Sequence, residues 1–168
     1  MNSTYKYYFS SLNTAKRAGK NAPHKAILLL AIMELIENGK ITSENFTLSE
    51  DLEKAFSRIW NKYIGFSILF QPKVATPFWH MQNEPFYNLY IRNEQAKAIN
   101  ANPYSVKKLR ENVIARIDAE LFQQIQEETS RNELRDLLIK EYLQQFSNNP
   151  NNILPVITLL GMLLHMAA

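Results

Sequence analysis

Residues 21–36 read NAPHKAILLLAIMELI. From Ala26 onward this run is apolar almost all round, a pattern typical of a helix that is buried on every side. Pro23 is placed for the first helical position, with the N-cap one or two residues before it, and Asn38-Gly39 supplies the stop. The run is shorter than the roughly 18 apolar residues that a membrane span needs. We therefore predict a central core helix.

The length and composition of the chain predict one globular domain. The 168 residues are 46% hydrophobic and 21% charged, which argues against disorder and leaves too little chain for two well-packed domains. There are no cysteines, so disulfides, thiolate zinc sites and cysteine nucleophiles are excluded. This absence fits a reducing cytosol, and the N-terminus has no signal-like apolar stretch. We expect a cytoplasmic protein.

Downstream of the core helix, two kinds of pattern alternate. Apolar residues recur at helical spacing from Leu48 to Tyr63, with Thr47 or Ser49 as cap. Residues 66–70 and 87–91 are instead short, β-branched and aromatic, with prolines between them. We interpret residues 66–92 as an irregular insert of two or three short strands.

The second half of the chain returns to helical spacing. Asn102-Pro103 is predicted to open a helix that carries Val106, Leu109, Val113 and Ile114 inward, and further helices are expected near 119–127 and 131–146. The predicted fold class is therefore α+β, a mostly helical single domain with a small antiparallel sheet or hairpin insert.

A polar break ends the predicted domain, which spans residues 1–146. Residues 147–152 read SNNPNN, and an apolar tail follows from Ile153. The tail contains a proline and a glycine, so we expect it to pack on the domain or on a partner. We expect no membrane association.

Few residues suggest catalytic chemistry. The three histidines (His24, His80 and His165) form no metal-ligand pair, and no Walker loop, Gly-x-Ser-x-Gly elbow or HNH box is present. Glu50, Asp51 and Glu53 cluster at positions suited to a helix N-terminus. We therefore expect no enzymatic activity and no cofactor.

The charges are segregated along the chain. Residues 1–33 hold five cations and no acid, and a second basic stretch runs from Arg92 to Arg116 with Lys107 and Lys108 within it. Such segregation is typical either of solvated helix faces or of a surface that faces a polyanion.

Two segments are candidates for binding. His24 and Lys25 fall in the first turn of the core helix, where free N–H groups favour an anion, with Arg17 and Lys20 just upstream. The alternative is a core helix whose His24 satisfies a backbone carbonyl. Residues 76–81 (TPFWHM) offer a rigid apolar surface, although core packing is the interpretation that composition favours.

These motifs together resemble one family. The start APHK at 22–25, the segment PFWHM at 77–81 and the segment PFYNL at 85–89 are similar to the non-catalytic domain that precedes the nuclease domain of McrA-like HNH restriction endonucleases in bacterial defence. That family includes the sulfur-binding domains that recognise phosphorothioate-modified DNA. The resemblance covers roughly residues 5–146.

The resemblance implies roles for particular residues. His24 and Lys25 would lie against the modified phosphate, Arg17 would touch the DNA, and Pro77 would line a small apolar cavity for the sulfur. In the sulfur readers an aromatic residue commonly precedes that proline, where this chain has Thr76. No HNH box follows, so we expect the chain itself not to cleave DNA.

The sequence therefore predicts a module that binds duplex DNA, with a nuclease partner or a homodimer as possible assemblies. The selective pocket would contain Arg17, His24, Lys25 and Pro77, with Thr76 beside it. The competing hypothesis is a protein-interaction subunit of a defence system that docks through the tail at 147–168. The residues expected to contact phosphates at any sequence are Lys6, Lys16, Lys20, Lys107 and Lys108.

Overall fold

The core helix lies at the centre of the computed structural model, which describes residues 3–92 and 105–147. This helix, α2 (His24–Glu37), buries every residue from Lys25 to Ile36 except Glu34. It begins one residue later than predicted, because Pro23 is the N-cap. It ends as predicted before Gly39, whose φ of 68° is the left-handed conformation that glycine adopts without strain.

Helices surround α2 on several sides. The amphipathic helix α3 (Glu50–Tyr63) turns Leu52, Phe56 and Trp60 towards the core. Helices α4 (Ala75–His80), α6 (Ala119–Gln126) and α7 (Glu128–Leu138) also pack on α2. The prediction of a helix buried on all sides is confirmed.

A small antiparallel sheet completes the α+β fold. Strand β5 (Val113–Ile117) lies in the middle, between β3 (Asn45–Phe46) and β4 (Tyr87–Ile91). Along β5 every second side chain is buried: Val113, Ala115 and Ile117. This alternation places one face of the sheet on the core. The predicted fold class, mostly helical α+β with a small antiparallel sheet, is confirmed.

The predicted location of the sheet was wrong. Residues 66–70 form a loop, and the segment after them forms α4, with Pro77 in its first turn where no N–H donor is needed. Only β4 of the expected insert is a strand, and its partner β5 lies in residues predicted to be helical. Val113 and Ile114 fit the spacing of the preceding helix, but their β-branched side chains also fit a central strand.

The remaining elements frame this core. Helix α5 (Val106–Asn112) is capped by Ser105, and the predicted helix start at Asn102-Pro103 lies outside the described residues, as does the tail from 148 onward. Helix α7 continues into a π-helical turn (Ile139–Leu143) and a 3₁₀ turn (Gln144–Phe146), close to the predicted end at 146. Besides α4, three features were not predicted: strand β3, helix α1 (Ser3–Ser10) and a hairpin of β1 (Lys16–Arg17) with β2 (Lys20–Asn21).

Within residues 3–92 and 105–147, no helix combines the length and the apolar character needed to cross a bilayer.

The N-cap of α3 gives a test of this architecture. The Ser49 hydroxyl accepts a hydrogen bond from the Leu52 N–H at 3.2 Å, so Ser49→Ala should lower the free energy of unfolding by about 1 kcal/mol. Ser57→Ala is the matched control, because Ser57 is exposed in the middle of the same helix, where alanine is the better helix former. Urea denaturation measures both. Equal stability of the two variants would contradict the assigned helix start.

Candidate functional site

A β-hairpin with a two-residue turn carries the basic side chains that lie directly N-terminal to α2. Arg17 pairs with Lys20 across the hairpin, and the turn residues Ala18 and Gly19 both have positive φ, 49° and 75°. This combination is the type I′ turn, whose twist matches that of paired strands. The tight turn leaves Lys16 and Arg17 exposed.

The end of the described chain holds this hairpin in place. The Gln145 side chain donates to the Asn21 carbonyl at 2.9 Å and accepts from the Asn21 N–H at 3.1 Å. The Lys20 ammonium lies 5.1 Å from the centre of the Phe146 ring. Lys20 is therefore directed towards the closing 3₁₀ turn.

A buried ion pair lies at the start of α2. The Lys25 ammonium donates to Glu84 Oε1, and the two residues are 7% and 6% exposed. The same carboxylate oxygen accepts the Asn13 N–H at 3.1 Å. Glu84 was not predicted as part of the site, although it is the single acid between Glu53 and Glu94. This isolation in an aromatic segment was the one available signal.

His24 packs between aromatic rings and is largely withdrawn from solvent. Its ring centre lies 5.0 Å from that of Trp60 and 5.9 Å from that of Phe70. The Nε2–H donates to the Gln71 carbonyl at 2.7 Å, as the alternative interpretation expected. Burial lowers the pKa of His24 from 6.5, as does the positive charge of Arg17, while the bond to Gln71 opposes this shift. At neutral pH, Nδ1 is therefore an unprotonated acceptor.

Arg17 joins the hairpin to the loop that follows α3. Its guanidinium donates to the Leu69 carbonyl at 3.0 Å and lies 5.9 Å from the centre of the Phe70 ring. The side chain is exposed on the remaining sides. One of its five N–H donors is used in this bond.

These features enclose one cleft of about 480 Å³. It lies between the hairpin, the start of α2, the segment 70–73 and α4. It brings together five of the residues predicted from the sequence, which are Arg17, His24, Lys25, Thr76 and the buried Pro77. Two further lining residues, Ala22 and His80, belong to the candidate segments APHK and TPFWHM. The lining residues that sequence reasoning missed are Asn13, Thr14, Ala15, Phe70, Gln71, Lys73 and Asn83.

The lining is cationic and mixed in polarity. Three cations (Arg17, Lys25 and Lys73) line the cleft, and among the residues described no carboxylate does so. Lys25 is paired with Glu84 behind the wall, whereas Arg17 and Lys73 have no ion-pair partner in the described part of the chain. The cleft therefore has the electrostatics of an anion site.

Three of the predicted residues lie outside the cleft. Lys20 contacts Phe146, and Lys107 and Lys108 are exposed on α5. The Arg110 side chain of α5 donates to Glu53 at 2.7 Å, about two turns of α3, roughly 10 Å, before the Trp60 that contacts His24. The α5 lysines therefore lie near the opposite end of α3 from the cleft.

Lys6, which was predicted to contact phosphate, pairs with Glu133 at 2.8 Å on the surface.

Across residues 3–92 and 105–147, no group of three or more metal-ligating side chains is assembled. No protein-family model matches the chain, and no curated protein is significantly similar to it.

The ion pair makes the stability of the site testable. Lys25→Met leaves the Glu84 carboxylate buried without a counter-charge and should lower the free energy of unfolding by about 3–5 kcal/mol. Lys25→Met combined with Glu84→Gln should recover much of this loss, because the amide is neutral and still accepts the Asn13 N–H. Urea denaturation compares the two. If Lys25→Met alone is as stable as the wild type, the buried ion pair between Lys25 and Glu84 is wrong.

His24 should give the stability a pH dependence. Because folding lowers its pKa, the unfolded chain binds the proton at higher pH than the folded protein. The free energy of unfolding should then decline as the pH falls below about 6.5 towards the lowered value.

We expect His24→Gln to have a smaller decline between about pH 7.5 and about pH 5 than the wild type, measured by urea denaturation. His80→Gln is the control, because it leaves the contact between His24 and Gln71 intact. Identical pH profiles for the wild type and His24→Gln would contradict the lowered pKa.

Proposed function

We propose that this chain is a cytoplasmic DNA-binding module that recognises a modified phosphate of duplex DNA, with phosphorothioate as the preferred modification, in a restriction or defence context. The observation that carries the proposal is the cleft. It collects Arg17, His24, Lys25, Thr76 and Pro77 from three separate segments and has a cationic lining without a carboxylate among the described residues.

The electrostatics of the cleft suit one backbone phosphate. Arg17 and Lys73 supply exposed positive charge, and Arg17 retains four N–H donors beyond its bond to Leu69. The amide side chains of Asn13 and Asn83 add neutral donors. A phosphodiester carries one negative charge, and the two cations without a carboxylate partner among the described residues, Arg17 and Lys73, match it together with these neutral donors.

The apolar part of the lining suits sulfur. Ala15, Ala22, Phe70 and Pro77 line the same cleft as the cations. A phosphorothioate keeps its charge, but its sulfur is larger and more weakly hydrated than oxygen. Moving sulfur from water to an apolar wall is therefore less costly than moving oxygen, and this difference is the proposed basis of selectivity.

Contacts outside the cleft would extend the interface. Lys16 and Lys20 on the hairpin lie closest to the cleft, whereas Lys107 and Lys108 would require the duplex to reach the far end of α3. In this proposal the chain binds and does not cleave, as the resemblance to the non-catalytic domain implies. Cleavage would then be the task of a nuclease partner.

The decisive experiment compares two fluorescent duplexes that differ in one sulfur. Fluorescence anisotropy over a range of salt concentrations gives the affinity and its salt dependence. We expect the wild type to bind the phosphorothioate duplex more tightly. Arg17→Ala should weaken binding and reduce the magnitude of the slope of log K against log [salt] by about 0.9, the value for one phosphate contact.

Lys54→Ala is the matched control, since Lys54 is an exposed cation on α3 outside the cleft; it should retain the wild-type slope. Pro77→Ala should lower the preference for sulfur while retaining binding to the unmodified duplex. If the wild type binds neither duplex at low salt, the proposed function is wrong. If the wild type binds the phosphorothioate and the unmodified duplex equally tightly, DNA binding is supported and sulfur recognition is wrong.

A further inference from the structure

Two large apolar side chains stand in solvent on the loop that follows α3. Phe66 is 70% exposed and Ile68 is 83% exposed, the highest values among the large hydrophobic residues described. Single exposed apolar residues are ordinary on protein surfaces. Two of them at alternate positions of one short loop form an apolar tip, which we call the 66–68 tip.

The loop that carries this tip is held by hydrogen bonds on both sides. Before the tip, the Trp60 indole donates to the Gly65 carbonyl at 3.1 Å. Within it, the Ser67 hydroxyl accepts the N–H groups of Leu69 and Phe70, each at 3.2 Å. The Phe70 side chain, 4% exposed, anchors the far end in the core. The exposure of the tip is thus built into an ordered loop.

The tip borders the cleft through the residues that follow it. Arg17 donates to the Leu69 carbonyl and His24 to the Gln71 carbonyl. Both donors line the cleft, and so do Phe70 and Gln71 themselves. The side chains that form the anion site therefore also hold the apolar tip beside it.

The charge around the tip favours a polyanion as its partner. No acidic residue occurs between Glu53 and Glu84, and two cations flank the tip in the sequence, Lys62 in the last turn of α3 and Lys73 after the loop. Lys73 lines the cleft a few residues after the tip. Apolar side chains amid cations match nucleic acid, which offers apolar base faces between phosphates.

We propose that Phe66 and Ile68 form a wedge that inserts between neighbouring base pairs next to the phosphate held in the cleft. This inference rests on the proposed DNA-binding function and adds a contact to the bases. A wedge partly unstacks one base step and kinks the duplex at that step. Because the loop is ordered in the free protein, little conformational entropy is lost on insertion.

The test uses short duplexes that carry 2-aminopurine beside the central phosphate, with and without a phosphorothioate there. The fluorescence of 2-aminopurine rises when the base loses its stacking neighbours. We expect wild-type protein to raise this fluorescence on binding. Phe66→Ala combined with Ile68→Ala should abolish the rise and weaken binding by about 5- to 150-fold, the range for loss of one stacked base.

Tyr7→Ala is the matched control, because Tyr7 on α1 is 67% exposed and does not line the cleft. It should retain both the affinity and the fluorescence change. The wedge variant should also keep the wild-type salt slope, since it removes no charge, whereas Arg17→Ala changes that slope. This contrast separates an apolar base contact from a general loss of phosphate binding.

Two results would overturn parts of the inference separately. If the Phe66→Ala, Ile68→Ala variant binds the duplex as tightly as the wild type and gives the same 2-aminopurine fluorescence, the wedge is wrong and DNA binding remains. If a protein partner covers the tip and DNA binding stays unchanged, the wedge is likewise wrong, and the DNA-binding proposal is unaffected. If wild-type protein binds no duplex at low salt, the proposed function fails, and the wedge fails with it.

Discussion

The buried ion pair between Lys25 and Glu84 joins three parts of the chain that are distant in sequence. Lys25 lies in the first turn of α2, Glu84 follows α4, and Asn13, whose N–H the same carboxylate oxygen accepts, precedes the hairpin. Removing two charges from water is costly, so the pair persists only where each group is well compensated. These three segments are walls of the cleft, and the ion pair fixes their relative positions.

The ion pair also decides which side chains give the cleft its charge. Lys25 contributes little net field because Glu84 lies directly behind it, and His24 is neutral at neutral pH because burial lowers its pKa. The positive potential therefore comes mainly from Arg17 and Lys73, which have no carboxylate partner among the described residues. In this structure the helix start supplies architecture, and the exposed side chains around it supply the positive potential of the cleft.

Local patterns predicted the long helices α2, α3 and α7, but they missed the short helices α1 and α4 and the pairing of the sheet. The apolar run of α2 and the cap at Ser49 are properties of neighbouring residues, so periodicity was sufficient to find them. The sheet joins residues near 45, 90 and 115, and no local pattern records that pairing. A local pattern also predicted a strand that does not form. Residues 66–70 are hydrophobic, but the structure exposes Phe66 and Ile68 on a loop.

For the site, the sequence predicted residues near the helix start and missed those that complete it from elsewhere. Gln71 accepts the His24 Nε2–H, and Glu84 accepts the Lys25 ammonium behind the cleft wall, through long-range contacts that spacing does not encode. Those contacts also give Arg17 and His24 a second task, since both hold the loop at 66–71 by hydrogen bonds. Arg17 uses one donor for Leu69 and keeps four, so it can bind an anion without releasing the loop. Phosphate binding and an ordered apolar tip are therefore compatible in the same state of the protein.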